Sequence, residues 1–321
     1  MKQTIPTQII RKINQYDKIA LFHNIDIEGD SLSSYALALS LKKTFPTKEI
    51  VFIANAPALF KAFPFLSIDT SLFQESIDES YLALVTNTSS FKKIFKNGEF
   101  QKAKYKIGFD HHSTSPNYNY DLFWNDTNFS SSTSQAIILI EKLKVALDES
   151  IAFVLSIGIL TKTHTFTYSL ADSLVVNQYA KLLEYINDGA IKFIFDFLKN
   201  KTIKGLKIKR FTLNNIKTIE NLVYLKVEKR LKNKFGINEI EKQIHQFSNI
   251  SSFDLWAIFI DGYDSLDSKK RILVKLGSFK YNTLKISNKY DGFGIKQSST
   301  CFAKDWKEVE KIIKELVALR D

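Results

Sequence analysis

The sequence predicts an α/β fold, a parallel and doubly wound sheet with helices on both faces in its first part and a smaller α/β domain after it. Two observations carry this expectation. Four short apolar runs, at residues 18–23, 50–54, 81–86 and 106–112, alternate with stretches of helical spacing. Such alternation places crossover helices on both faces of a parallel sheet. Beyond a Lys-rich stretch the pattern changes, with strands expected at 254–260 and 271–276 and a closing amphipathic helix at 305–316. A chain of 321 residues holds two domains of ordinary size. The expected division is 1–187, a helical basic linker over 188–218, and 219–321.

Taken in order, Ile9, Ile10 and Ile13 at helical spacing suggest a leading helix over 6–15. The first strand, 18–23, is followed by His23-Asn24-Ile25-Asp26-Ile27-Glu28-Gly29-Asp30-Ser31, a loop with three acids in five residues, and then by a helix from 30 to 42. The third apolar run ends in Asn87-Thr88-Ser89. The fourth ends in Asp110-His111-His112, which holds two of the five histidines in the chain. Polar groups at the carboxyl ends of strands in such sheets lie at a crevice. Ser131-Ser132-Thr133 offers N-caps for a helix through Lys144, and an apolar helix over 149–161 ends at Lys162-Thr163-His164. Two further helices are expected between 172 and 199, broken near Asn187-Asp188-Gly189, where Gly189 would cap the first.

A hydrophobic content of 45% with 25% charged residues is that of a globular protein. No apolar run nears the roughly 18 residues of a membrane span, so no integral membrane segment is expected. Met1-Lys2-Gln3-Thr4 lacks the apolar core of a signal peptide, and a cytoplasmic protein follows as the expectation. The lone Cys301 excludes an internal disulfide framework and a cysteine-based zinc site. The net charge of +11 is uneven, since residues 1–200 carry 20 acids and 20 bases and the whole excess lies beyond them. The run 201–234 holds eleven Lys/Arg against Glu220 and Glu228, including Lys201, Lys204, Lys207, Lys209, Arg210, Lys229, Arg230, Lys232 and Lys234. Only five bases in the chain are Arg, the usual residue for bidentate phosphate recognition, so this run reads first as a solvated helical face. It is also the most obvious docking surface for an acidic partner.

Taken together, Asn24/Glu28/Asp30, Asn87, Asp110/His111/His112 and Lys162 lie at successive strand or helix ends. This set resembles the DHH phosphoesterase family with its C-terminal DHHA1 domain, and within it the nanoRNase and pAp phosphatase group. The resemblance runs along nearly the whole chain, and only the Asp-His-His motif is intact. By that resemblance the first-loop His falls on Asn24, with His23 one residue out of register, and the two loop acids fall on Glu28 and Asp30. The metal-bridging Asp of the second strand is Asn87, and the last metal-binding Asp is Lys162. In the second domain Asp291-Gly292-Phe293-Gly294-Ile295-Lys296 stands where the family has Gly-Gly-Gly-Gly-His-Lys. The substrate-binding His is therefore Ile295, Gly292, Gly294 and Lys296 remain, and a substrate-binding Arg falls on Gly277.

Two-metal hydrolysis needs hard carboxylates to hold two dications while one activates water. Of the four carboxylates implied by the resemblance, Glu28 and Asp30 remain, and Lys162 adds a positive charge among them. The resemblance with these departures implies a non-catalytic homologue, with no cofactor, acting as a binding or structural subunit of a protein assembly. Its partners would be other proteins or copies of itself, with a short RNA or nucleotide as a further ligand. The Lys162 ammonium is expected to take a vacated metal position and pair with Asp30 or Asp110. The alternative is a residual phosphoesterase that holds one manganese or magnesium ion on Glu28, Asp30 and His111, with His112 toward the substrate. A third alternative is an RNA- or nucleotide-binding module without chemistry. Structural roles stand beside these. Glu28 and Asp30 would serve as loop acids and N-caps of the helix that follows. His111 and His112 would be satisfied by neighbouring acids, His164 and His245 would be surface or helix residues, and Gly292 and Gly294 would serve a backbone conformation that needs glycine.

Overall fold

The computed structural model describes residues 4–27, 29–65, 69–78, 80–112, 115–166, 172–199, 202–241, 243–244, 247, 250–264 and 270–319. The chain divides into two compact units, residues 1–199 and 200–321. Among the described residues no helix is long and apolar enough to cross a membrane.

The first unit is built on a five-stranded parallel sheet of β1 (Lys18–Phe22), β2 (Glu49–Ile53), β3 (Leu82–Thr86), β4 (Tyr105–Asp110) and β5 (Leu122–Asn125), in the order β2-β1-β3-β4-β5. The central strands are apolar on both faces because helices cover both. Helices α1 (Ile5–Gln15), α2 (Leu32–Thr44), α3 (Ala56–Ala62), α4 (Asn97–Lys102), α5 (Ser132–Lys142), α6 (Glu149–Lys162), α7 (Ser173–Leu183) and α8 (Asp188–Lys199) complete the unit. Strand order reverses between β1 and β3, and in open α/β sheets ligands bind beyond the carboxyl ends of strands at such a switch point. Ser131 caps α5 by accepting from the Ser134 N–H at 3.0 Å, and Asp148 and Asp172 cap α6 and α7 in the same way. Helix α6 is buried almost all round, which its run of Ile, Val and Leu permits.

The second unit opens with α9 (Ile203–Asn215) and carries a six-stranded mixed sheet in the order β10-β11-β9-β8-β7-β6. Its strands are β6 (Lys217–Ile219), β7 (Leu222–Val227), β8 (Leu255–Asp264), β9 (Lys270–Ser278), β10 (Phe293–Ile295) and β11 (Ser298–Ala303). Helices α10 (Lys229–Phe235) and α11 (Ile237–Glu241) follow β7, α12 (Leu284–Ser287) precedes β10, and α13 (Trp306–Val317) closes the chain with Asp305 as its cap.

Three local expectations change. The basic run 201–234 is not one helical face, because β6 and β7 interrupt it; Leu222, Val223, Leu225 and Val227 pack into the cores of the second unit. The stretch 188–218 is mostly helical, but its two helices belong to different units, with Ile194 of α8 in the first core and Ile208 of α9 in the second. Gly189 lies within the first turn of α8 rather than capping α7. The cap of α8 is Asn187, whose Oδ1 accepts from the Ala190 N–H at 2.9 Å.

Candidate functional site

The ends of β1, β3 and β4 bring Asn24, Asn87 and Asp110-His111-His112 to the switch point, and the turn Gly29–Ser31 adds Asp30. Gly29 sits so close to α6 that a Cβ there would lie 1.6 Å from the Thr161 hydroxyl oxygen. Only glycine permits that approach, and the approach brings Asp30 toward Lys162 at the end of the same helix. Glu28 lies outside the described residues.

Asp30 is fully buried, and its carboxylate rests on the N-terminus of α5. Oδ1 accepts from the Thr133 N–H at 3.1 Å and the Thr133 hydroxyl at 2.8 Å, and Oδ2 accepts from the Ser132 N–H at 3.2 Å. Lys162 Nζ stands 3.6 Å from Oδ2, and His111 Nε2 lies 3.4 Å from it without hydrogen-bond alignment. Burial alone would raise the Asp30 carboxyl. The Lys162 ammonium, then His111 and the Thr133 hydroxyl, outweigh burial and hold the group well below the usual carboxylate range. Asp30 therefore caps α5, about a hundred residues away, and not the helix that follows it. Of the two acids offered to Lys162 by the sequence, the geometry places Asp30 beside it.

Asp110 is also buried, but its partners are its own neighbours. Oδ1 accepts from the His111 N–H at 2.8 Å, the His112 N–H at 3.3 Å and His112 Nδ1 at 2.6 Å. Burial raises this carboxyl, and the His112 hydrogen bond and charge more than offset it, so the net shift is downward. Asp110, His111 and His112 each offer one ligand atom within 4.8 Å of the others, the one such group of three or more among the described residues. His111 is buried and pushed down to about 4, with burial as the main cause and Lys162 adding to it against the pull of Asp30. Its Nε2 has no hydrogen-bond partner.

His23 is committed elsewhere. Its Nδ1–H donates to the Asn24 carbonyl at 2.6 Å, its Nε2 accepts from the Asn55 N–H at 3.2 Å, and its ring stacks on Phe95 at 5.1 Å between centroids. Burial pushes it down to about 4. With both nitrogens engaged it does not turn into the place held by Asn24. Asn24 Nδ2–H instead donates to the Asn87 carbonyl at 3.0 Å, linking two positions where the family pattern has metal ligands. Asn87 has φ +61, a left-handed conformation that Asn tolerates better than most residues, and its Oδ1 is buried without a partner. His164 has a left-handed φ of +48, and Thr165 and Phe166 continue it. Burial and then Lys162 push His164 down to about 4.

In the second unit Gly277 lies opposite Trp256 across β8 and β9, and a Cβ there would meet the indole Nε1 at 2.0 Å. The indole fills the space a longer side chain at 277 would need. Gly294 has φ +137 and Gly292 packs against the Ser287 and Thr300 carbonyls, so both positions require glycine for backbone reasons. Ile295 pairs with Ser298 on the edge of the sheet, and Lys296 is exposed. Of the basic surface, Lys204, Lys207, Arg210, Lys229, Arg230 and Lys234 are exposed and Lys209 is half-buried. Lys232 donates to the Gly262 carbonyl, while Lys201 and His245 lie outside the described residues.

Nothing in the sequence marks Ser132 and Thr133 as donors to Asp30, because a run of hydroxyl residues before a helix reads only as an N-cap. Gln135 was missed as well. Its Nε2–H groups reach the Asp110 and Trp124 carbonyls, both at 3.2 Å, and so tie α5 to the ends of β4 and β5.

No family model matches the chain. It is 25% identical to the bifunctional oligoribonuclease and PAP phosphatase NrnA of Mycoplasma genitalium, over 99% of this chain and 98% of that one. The NrnA of Mycoplasma pneumoniae is 24% identical over 96% of this chain and 94% of its own. An uncharacterized protein of Mycoplasma genitalium is 23% identical over 94% and 92%. Among solved structures, an exopolyphosphatase-related protein from Bacteroides fragilis shares the fold with a TM-score of 0.73 at 16% identity, covering 98% of this chain and 95% of that one. NrnA proteins are similar to it along nearly their whole length and the Asp-His-His turn lies at the switch point of a parallel sheet, so the chain resembles DHH-type phosphoesterases in sequence and fold.

Proposed function

We propose that this chain is a DHH-type homologue in which an internal ion pair has replaced metal-dependent hydrolysis, and that it serves as a binding or structural subunit of a protein assembly. The observation that carries this is Asp30. Both its oxygens are engaged by donors of α5, and the Lys162 ammonium stands where the family pattern has an acid. A protonated ammonium cannot ligate a metal, and an Asn amide is a poor replacement for a bridging carboxylate. The residues present do not fit a pair of divalent cations.

A second reading rests on the trio Asp110, His111 and His112, whose ligand atoms are close enough to share one ion. In it the chain keeps one manganese or magnesium ion and hydrolyses short oligoribonucleotides or pAp, the activities named for its relatives. Incubation with a diribonucleotide and with pAp in the presence of manganese separates the two. We expect no turnover and fewer than two manganese ions per purified chain. Turnover abolished in Asp30→Ala would overturn the non-catalytic reading. Where turnover is absent, the triple substitution Asn24→His, Asn87→Asp and Lys162→Asp asks whether the scaffold still accepts the metals.

A further inference from the structure

Asn97 is the one asparagine in the chain that is followed by glycine; every other is followed by a residue with a side chain. The pair opens α4, a helix of six residues that starts from Lys96 in a left-handed conformation of φ +50. The first backbone bonds of this helix come from the Glu99 and Phe100 N–H groups, and both go to the Lys96 carbonyl, at 2.9 and 3.2 Å. The Gly98 N–H precedes them. It is one of the donors that a helix start leaves over, and it meets no acceptor among the described residues. Gly98 is exposed, and nothing lies within 4 Å of the place a Cβ would take. The half-buried Asn97 side chain donates to the Phe91 carbonyl through a hydrogen bond that is long at 3.4 Å.

We propose that Asn97 is a site of spontaneous deamidation in the folded protein. The Gly98 nitrogen attacks the Asn97 Cγ. An N–Cγ bond forms, the Cγ–Nδ2 bond breaks, and the side-chain nitrogen leaves as ammonia with the proton that Gly98 gives up. Solvent water then opens the succinimide at one of its two carbonyls. Opening at Cγ leaves aspartate, and opening at the main-chain carbonyl of residue 97 leaves isoaspartate. Glycine matters because a Cβ on the attacking residue would crowd the approach and stiffen the backbone. Ring closure requires Asn97 to leave its helical conformation, and in a helix this short the first turn opens at little cost. Aspartate at a helix start is well tolerated, since negative charge is favoured there. Isoaspartate is not equivalent, because it adds a methylene to the main chain. The segment just before it holds the end of β1, with the Phe95 N–H donating to the His23 carbonyl at 3.0 Å and the Ile25 N–H to the Lys93 carbonyl at 2.7 Å. The change therefore falls beside the loop that carries Asn24, and it is independent of whether chemistry survives there.

Peptide mapping of the full chain by mass spectrometry, after incubation in warm neutral buffer, tests this. We expect conversion at Asn97 to outpace that at every other asparagine by at least about tenfold and to quicken in mildly alkaline buffer. Its product should accept a methyl group from an isoaspartyl methyltransferase. Gly98→Ala should slow conversion by at least about tenfold. Its unfolding curve should be no worse than the parent's, because the added Cβ enters open space and alanine favours the helix. A comparison that needs no variant sets the folded chain against the chain unfolded in urea, where the folded rate should stay within about tenfold of the unfolded one. Conversion at Asn97 no faster than elsewhere, a rate indifferent to Gly98→Ala, or a fold that suppresses the reaction by more than that factor overturns the proposal.

Discussion

Asp30 and Asp110 are two buried carboxylates at one end of one sheet, both held below their ordinary range, and they reach that state by opposite routes. Asp110 is satisfied within its own turn by the two residues that follow it. Asp30 is satisfied by Ser132, Thr133 and Lys162, which reach it only when α5 and α6 have packed beside the first loop. A local turn can form wherever its three residues stand together. The Asp30 cluster reports on the assembled fold, so its stability is coupled to the packing of the whole first unit.

Removing the Lys162 charge should expose this difference most strongly. Lys162→Met leaves a fully buried carboxylate with its helix donors but without its counter-ion, and loss of one partner of a buried pair costs roughly 3–5 kcal/mol. The partial exposure of Lys162 places the expectation at about 3 kcal/mol, read from urea unfolding of the full chain at pH 7. Asp30 has a depressed folded pKa, so its contribution is present above the unfolded value of about 4 and is lost as pH falls below it. Since Lys162 supplies the largest of the lowering influences, the folded pKa of Asp30 should lie higher in the variant, so the variant loses less stability than the parent as pH falls below about 4. Adding Asp30→Asn to Lys162→Met should recover part of the loss. A double variant no more stable than the single one would mean that Asp30 is not the partner.

A smaller effect is expected from the helix side of the same cluster. Thr133→Val removes the hydroxyl that donates to Asp30 at 2.8 Å and leaves the backbone donors in place. Hydrogen bonds to charged groups contribute about 1.5–3 kcal/mol, and a loss at the lower end follows because the carboxylate keeps its other donors. Unfolding of Thr133→Val alone and on the Lys162→Met background should give non-additive losses, since both act on one carboxylate. Additive losses would separate the two contacts.

The same contrast explains what the sequence could reveal. The parallel sheet was legible because β1, β3 and β4 are continuous apolar runs, and Asp110-His111-His112 was legible because its three members are adjacent. The pairing of Lys162 with an acid followed from charge alone, but the choice of Asp30 did not, because it depends on the close approach of Gly29 to Thr161. Ser132 and Thr133 read only as helix caps, since nothing local says that the donors of a helix N-terminus will be taken by an acid from another loop. Strands β6 and β7 were hidden in a Lys-rich run. Their alternation is short, and β8, the strand that joins the β6–β7 pair to the rest of the sheet, arrives later in the chain.

Least is expected from the local member of the pair. Asp110→Asn keeps an acceptor for the His111 and His112 N–H groups and loses the charge facing His112 Nδ1. The His112 side chain is 37% exposed, so solvent screens that interaction, and its loss should cost about 1 kcal/mol or less. Asp110 has a depressed folded pKa, so the parent holds this contribution above pH about 4 and loses it on acidification. Stability curves of parent and Asp110→Asn should then converge as pH falls, while those of parent and Lys162→Met differ by more throughout the neutral range. If Asp110→Asn proved as damaging as Lys162→Met, the turn would be as dependent on the surrounding fold as the Asp30 cluster. The Gln135 contacts to the ends of β4 and β5 would then be the first place to look for the coupling.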